Sequence, residues 1–188
     1  MNVKILNEKK VFDGFFKIIE GEIRHERFDG SEQTIKRLCF GRGDAVAAVV
    51  YDRDTDVLLF TEQFRYPAFK RSGDSTILEI MAGMVAPGES YQDCLRREME
   101  EELGLSPRMT RYLGSYLLSP GGSSEQIHIY FVEVGERNGN GGGLIEEKED
   151  IRVVRMVVSE INKKLSNGGF NDAKTQLGLL MSRELWNK

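Results

Sequence analysis

The chain has 188 residues, 40% of them apolar, and a formal net charge of −4. That suits one globular domain with a core of its own, with room for a small extra lobe. Acids and bases are spread along the chain without a long basic run, which argues against a nucleic-acid partner. In chain order, the start MNVKILNEKK lacks the apolar stretch of a signal peptide. Residues 11–40 alternate loosely and read as short strands, with a hairpin turn at FDGS (28–31). In DAVAAVVYDRDTDVLLFTEQFR two apolar runs flank DRDTD (52–56), a strand–turn–strand pattern. The longest apolar run, AVAAVVY (45–51), is too short to span a bilayer, so no membrane partner and a cytoplasmic location are expected. TILEIMAGMV (76–85) reads as one strand ending near glycine. Further strands are expected near 110–118, 126–134 and 151–157. Amphipathic helices are expected over 158–166 and 171–187. The low-complexity piece NGNGGG (138–143) reads as a flexible loop. Cys39 and Cys94 form neither a disulfide framework nor a metal-type spacing, which fits a reducing compartment. The elements give an α/β (α+β) class, with helices interrupting a mixed or antiparallel sheet.

The stretch GESYQDCLRREMEEELGL carries helix signals. Ser90 is placed as N-cap, Asp93 stands where a capping-box acid belongs, and Gly104 is placed to stop the helix. Leu95, Met99 and Leu103 form an apolar stripe. Glu98, Glu101 and Glu102 fall on a neighbouring face, at spacings that make side chains neighbours, and Arg97 is four residues before Glu101. Two carboxylates about 5 Å apart repel by about 3 kcal/mol at an effective dielectric near 20. By itself such a face reads either as a solvated acidic surface or as a cation site. The helix has few basic partners, and Mg²⁺ prefers hard oxygen ligands while keeping waters and phosphate oxygens in its shell. Clustered carboxylates therefore suggest metal-assisted phosphate chemistry.

From Gly83 to Leu105 the sequence GMVAPGESYQDCLRREMEEELGL resembles the Nudix box. Gly83, Glu89, Arg97, Glu98, Met99, Glu101, Glu102, Gly104 and Leu105 all match its pattern. The flanking segments LEIMAGMV, EQFRYPAF (62–69), SPGGSSE (119–125) and EEKEDIRV (146–153) resemble the ADP-ribose pyrophosphatase branch and its relatives that act on nucleotide sugars, GDP-mannose hydrolases among them. The resemblance covers most of residues 12–185 and is looser in the N-terminal forty. It implies a Nudix fold, a mixed sheet sandwiched between helices. It also implies an antiparallel N-terminal strand extension over 1–43, ahead of a hydrolase domain over 44–188, and a homodimer formed through those strands.

The resemblance implies Mg²⁺-dependent hydrolysis of a nucleotide sugar, with Mn²⁺ as the other candidate ion. ADP-ribose would give AMP and ribose 5-phosphate; GDP-mannose or ADP-glucose are the alternative substrates. By carry-over, Glu98 and Glu102 are metal ligands, with help from Glu101 and the backbone carbonyl of Ala82. Arg97 and Glu89 orient the helix and loop within the catalytic machinery. Glu147 is the implied general base, with Glu149 as second choice, on a hinged loop that reaches a water when substrate arrives. Arg65 and Arg37 are the implied phosphate contacts. Glu125, with Pro120 and Gly121 of the SPGG turn, is implied to contact the nucleotide sugar. Each of these also has a plain reading: surface arginines, an ordinary Pro-Gly turn, a charged loop. Phe15, Phe16 or Phe28 stack on a base or pack a core. His25 and His128 read as non-catalytic. Two other functions compete: a nucleoside-triphosphate-cleaning enzyme of the same fold, and a nucleotide-sugar sensor without turnover. The flanking segments weigh against the first, and the complete set of carboxylates against the second.

Overall fold

A computed structural model describes residues 1–187. The chain divides into two compact units, Met1–Asp44 with Leu117–Gln126, and Ala45–Tyr116 with Ile127–Lys188. The first is a three-stranded antiparallel sheet in the order β1 (Val3–Asp13), β2 (Lys17–Glu26), β3 (Glu32–Gly41). The FDGS turn closes β2 onto β3: Gly30 takes φ 81°, and the Arg27 amide donates to the Ser31 carbonyl at 2.7 Å. The turn at 119–122 belongs to this unit, and Ser123 bridges to Phe40 of β3.

The second unit is built on β4 (Ala45–Asp52), whose residues 45–51 are all buried. An uninterrupted apolar run is what a strand covered on both faces requires. β4 pairs antiparallel with β5 (Val57–Gln63) near the DRDTD turn. It pairs in parallel with β9 (Gln126–Arg137), and the sheet order is β10 (Ile151–Val157), β5, β4, β9, β8 (Leu105–Leu117). Successive residues of β4 feed opposite faces. Ala45, Ala47 and Val49 join Ile161, Leu179 and Trp186 from the C-terminal helices, while Val46, Ala48 and Val50 join Cys94, Leu95, Met99 and Leu103. Helices thus cover both sides of a mixed sheet, the arrangement the sequence implies. Each fully buried Leu or Met contributes about 1.5–3 kcal/mol.

Several elements differ from the sequence reading. The strand expected over 76–85 is two, β6 (Ile77–Glu79) on β5 and β7 (Met81–Met84) on β4. The break falls at Ile80, whose amide leaves the ladder to donate to Thr175 Oγ1 at 2.8 Å. A helix absent from the reading, α1 (Tyr66–Ser72), follows β5; Pro67 sits in its first turn and Gly73 at φ 80° ends it. The acidic segment is α2 (Tyr91–Glu98) followed by a π-helical turn (Met99–Leu103), not one regular helix. Strand β8 starts directly after Gly104, and β9 runs to Arg137, both longer than expected. α3 (Val158–Ser166) has the expected bounds. The helix expected over 171–187 is α4 (Ala173–Met181) and α5 (Arg183–Trp186). Buried Ser182 separates them, donating to the Gly178 carbonyl at 2.8 Å and accepting from Trp186 Nε1 at 2.9 Å. No helix among the described residues is long and apolar enough to cross a membrane.

Candidate active site

The carboxylates gather where α2 and its π turn run beneath β7. Ser90 caps α2 by accepting from the Asp93 amide at 3.1 Å. Arg97 is the local hub. Its Nε and Nη2 grip both oxygens of Glu89 at 2.9 and 3.1 Å, and Nη1 donates to Glu98 Oε1 at 2.8 Å and Glu101 Oε2 at 2.9 Å. Nη2 also reaches the Met84 carbonyl at 3.1 Å. The fork lowers the Glu89 carboxyl to about 2, with the Ala86 amide adding to the effect. A planar fork serving three carboxylates and a carbonyl at once is beyond a lysine.

Glu98 lies against Gly83. A Cβ there would fall 1.8 Å from the Glu98 carboxyl carbon, so glycine is what allows this approach. Burial raises the Glu98 carboxyl to about 7; Glu101 and Glu149 push the same way and Arg97 opposes them. Glu102 is 3% exposed. Burial, then the charge of Glu98, raises its carboxyl to about 8 against the pull of Arg65 and the Ala82 amide. Its Oε2 is fully buried and has no hydrogen-bond partner among the described residues. A buried carboxylate oxygen left unmatched is costly unless a proton or cation meets it.

These oxygens fit a hard divalent cation. Among the described residues no group of three or more His, Cys, Asp or Glu side chains is arranged to hold a metal ion by itself. The protein would thus supply part of a shell that Mg²⁺-type ions complete with water and phosphate oxygens. Ala82, expected through its carbonyl, meets Glu102 through its amide.

Arg65 precedes α1 and donates from Nε to Glu79 Oε2 at 2.8 Å, while its charge reaches Glu102. Glu79 is 5% exposed and also pairs with Lys174 of α4, which Asp172 holds at 3.0 Å. Neither Glu79 nor Lys174 features in the sequence reading. The available signal was a glutamate at a strand position flanked by Leu78 and Ile80. Of the loop acids, Glu149 adds to the upward push on the Glu98 and Glu102 carboxyls. Glu149 is half-buried and accepts from the Leu144 amide at 3.0 Å, whereas Glu147 is exposed at the end of a 3₁₀ turn (Ile145–Glu147).

The NGNGGG stretch is not a free tether. Gly142 and Gly143 donate to the carbonyls of Glu102 and Glu101 at 2.9 and 3.0 Å. Asn138 and Gly139 donate to the Gly104 carbonyl at 2.9 and 3.1 Å. A helix end leaves carbonyls unsatisfied, and this loop satisfies them.

The remaining candidates lie in the N-terminal unit: Arg37 on β3, Pro120 and Gly121 in the 119–122 turn, and Glu125. Within it Arg37 Nη1 donates to the Lys36 carbonyl at 2.8 Å, and buried Glu125 lies 3.6 Å from Arg42 Nη1. Phe16 packs on Phe40 with ring centroids 5.0 Å apart, while Phe15 is 85% exposed. His25 lies 2.8 Å from Gln33 Nε2; His128 stacks on Tyr91 at 3.6 Å.

Comparison with known proteins agrees with this geometry. The family profile of the NUDIX domain matches residues 41–174. The chain is 34% identical over 180 residues to a protein named ADP-ribose pyrophosphatase from Escherichia coli (strain K12), covering 95% of this chain and 86% of that one. It is 30% identical over 180 residues to one named GDP-mannose pyrophosphatase from Cronobacter sakazakii, covering 94% and 93%. A crystal structure titled ADP compounds hydrolase superposes with a TM-score of 0.76 at 22% identity, covering 98% of this chain and 94% of that one, which shows the shared fold. The chain belongs to the Nudix family and is a hydrolase of pyrophosphate bonds.

Proposed function

We propose that the chain hydrolyses the diphosphate of nucleoside diphosphate sugars with Mg²⁺, ADP-ribose foremost, giving AMP and ribose 5-phosphate. The observation that carries this reading is half-buried Glu98 with buried Glu102, whose Oε2 is unmatched, within reach of the charges of Arg65 and Glu149. Glu98, Glu102 and Glu101 would hold a divalent ion, whose chemistry there would be neutralisation of the diphosphate and acidification of water. The chain's own groups do the rest. Arg97 holds Glu98 and Glu101 at fixed positions, so little reorganisation is left for the reacting complex. Arg65, gripped at Nε by Glu79, presents its remaining nitrogens to a phosphate. Glu149, in place of Glu147, takes the proton of the attacking water.

GDP-mannose is the second reading, favoured by the relatives that carry that name. The N-terminal extension, residues 1–43, serves homodimerisation through β1–β3. Val3 and Ile5 on one side of that sheet, Phe12 and Leu38 on the other and Phe15 in the β1–β2 turn are exposed apolar side chains, which supports cover by a partner. Mn²⁺ substitutes for Mg²⁺ at the same oxygens. Arg37, Pro120, Gly121 and Glu125 contact the nucleotide sugar.

The test is a panel of ADP-ribose, GDP-mannose, ADP-glucose and NADH with Mg²⁺, resolved by product. ADP-ribose cleaved fastest, to AMP and ribose 5-phosphate, is the expected result. Release of inorganic pyrophosphate from nucleoside triphosphates at a higher rate would replace it. E98Q is expected to lose at least about a hundredfold in kcat with the fold intact.

A further inference from the structure

The glycine loop docks on the metal-binding helix and, one residue later, on the loop glutamate. Three consecutive amides do this. Gly142 N–H donates to the Glu102 carbonyl at 2.9 Å, Gly143 N–H to the Glu101 carbonyl at 3.0 Å, and Leu144 N–H to Glu149 Oε2 at 3.0 Å. Two of the acceptors are the main-chain carbonyls of residues whose side chains form the acidic cluster. The third is the carboxylate that Glu98 and Glu102 feel. Outside the ladder, Ile151 N–H donates to the Gly142 carbonyl at 3.1 Å, tying the loop to the start of β10.

Only glycine fits this seam. Gly141, Gly142 and Gly143 take φ of 67°, 102° and 84°. A Cβ on Gly141 would lie 2.6 Å from the Leu103 carbonyl carbon and 2.7 Å from the Glu102 oxygen. A Cβ on Gly143 would lie 2.7 Å from Glu149 Cβ and 2.9 Å from Glu149 Oε2. The first contact forces loop from helix. The second presses on Glu149 and, at 3.1 Å, on Ile151 Cδ1, and an L residue at φ 84° also strains the backbone whose amide reaches the Glu101 carbonyl.

We propose that Gly143 and the Leu144 amide are positioning residues for the catalytic glutamate, fixing Glu149 in register with Glu101 and Glu102. The inference rests on the reading of Glu149 as the base. Because the loop is hydrogen-bonded to the helix backbone, a shift of that backbone at Glu101 and Glu102 carries Glu149 with it. The distance between proton acceptor and metal site is thereby set by backbone geometry and not by side-chain rotamers. A misplacement near 1 Å at a reacting group costs about a hundredfold in rate.

The test is a double-mutant cycle of G143A and E149Q in the full chain with Mg²⁺ and ADP-ribose, or GDP-mannose if that is cleaved faster. Steady-state constants and thermal midpoints are read for all four proteins. G143A is expected to lower kcat at least about tenfold with KM changed less than about twofold. In the E149Q background the same substitution is expected to change kcat less than about twofold, since the group it displaces is already disabled. The midpoint shift caused by G143A is expected to be equal in both backgrounds. An equal kcat loss in both would overturn the positioning role and leave the base assignment standing. Wild-type turnover of E149Q would overturn the base assignment and this inference with it. Should G143A not fold, L144P enters the same cycle: proline there deletes the donor to Glu149 without adding a Cβ at 143, at the cost of turning φ from −97° toward about −65°.

Discussion

Glutamine at position 102 is expected to stabilise the metal-free protein while destroying its turnover. The Glu102 carboxyl is raised from 4.5 to about 8, with burial as the main cause and Glu98 next. Its folded value lies above its unfolded one, so between those two pH values the folded state binds more protons. Stability therefore falls as pH rises through that window; the penalty is absent below it and complete above. Each unit of displacement is about 1.4 kcal/mol, which sets an upper bound of about 5 kcal/mol above pH 8. Glu98 titrates in the same range and shares the repulsion, so only part of that belongs to Glu102. Glutamine keeps an oxygen for the Ala82 amide but buries a donor, at a cost of about 1 kcal/mol. A net gain of about 1–4 kcal/mol remains, or about 3–10 °C for a chain of this size.

Thermal scans in EDTA from pH 5 to 8.5 read this directly. The E102Q and wild-type midpoints are expected to coincide near pH 5 and to diverge progressively above pH 6, with the variant higher. Adding Mg²⁺ at pH 8 is expected to raise the wild type and leave the variant nearly unmoved. A variant less stable at pH 8.5, or a gap independent of pH, would mean that Glu102 is held by ordinary packing and not against its own charge.

The remaining predictions concern the supports. G83A places a methyl on the Glu98 carboxyl and is expected to cost about a hundredfold in kcat, read under saturating substrate, with the unfolding midpoint little changed. K174M leaves buried Glu79 with Arg65 as its remaining cation; urea titration is expected to show a loss of about 3 kcal/mol, and kinetics a raised KM as Arg65 loosens. T175V deprives the buried Ile80 amide of its acceptor and is expected to cost about 1–3 kcal/mol in the same titration, with KM unchanged.

How much of this was legible in the sequence varied with the range of the interaction. The Ser90 cap, the Gly104 stop, the buried β4 run and the bounds of α3 and β10 depend on residues close together, and the pattern alone reveals them. The split of 76–85 into β6 and β7 does not, because it is made by Thr175 from ninety-five residues away. The same holds for the Glu79–Lys174 pair, which crosses ninety-five positions. α1 was hidden by brevity: seven residues with Pro67 at the start and no buried face give periodicity nothing to detect. NGNGGG misled for a different reason. Composition reports that glycines are free to adopt unusual φ, but not that a helix end lies against them needing donors.

Crowded acids remain the central physical fact. Arg97 is the cation built into the cluster, and it is shared by Glu89, Glu98 and Glu101. Glu102 is not among its partners. Arg65 lowers the Glu102 carboxyl only partly, since its Nε is committed to Glu79. The π turn bears on this. Widening the helix at residues 99–103 leaves Glu102 and Leu103 buried while Glu100 faces solvent, so Glu102 is turned toward the sheet and away from water. The fold thus pairs three of its box carboxylates with Arg97 and leaves the most buried one short of charge. An external divalent cation bound there relieves a penalty the folded protein already carries. In the presence of the cation, binding and the stabilisation it confers are then expected to rise together with pH, since a protonated Glu102 carries no charge to attract it.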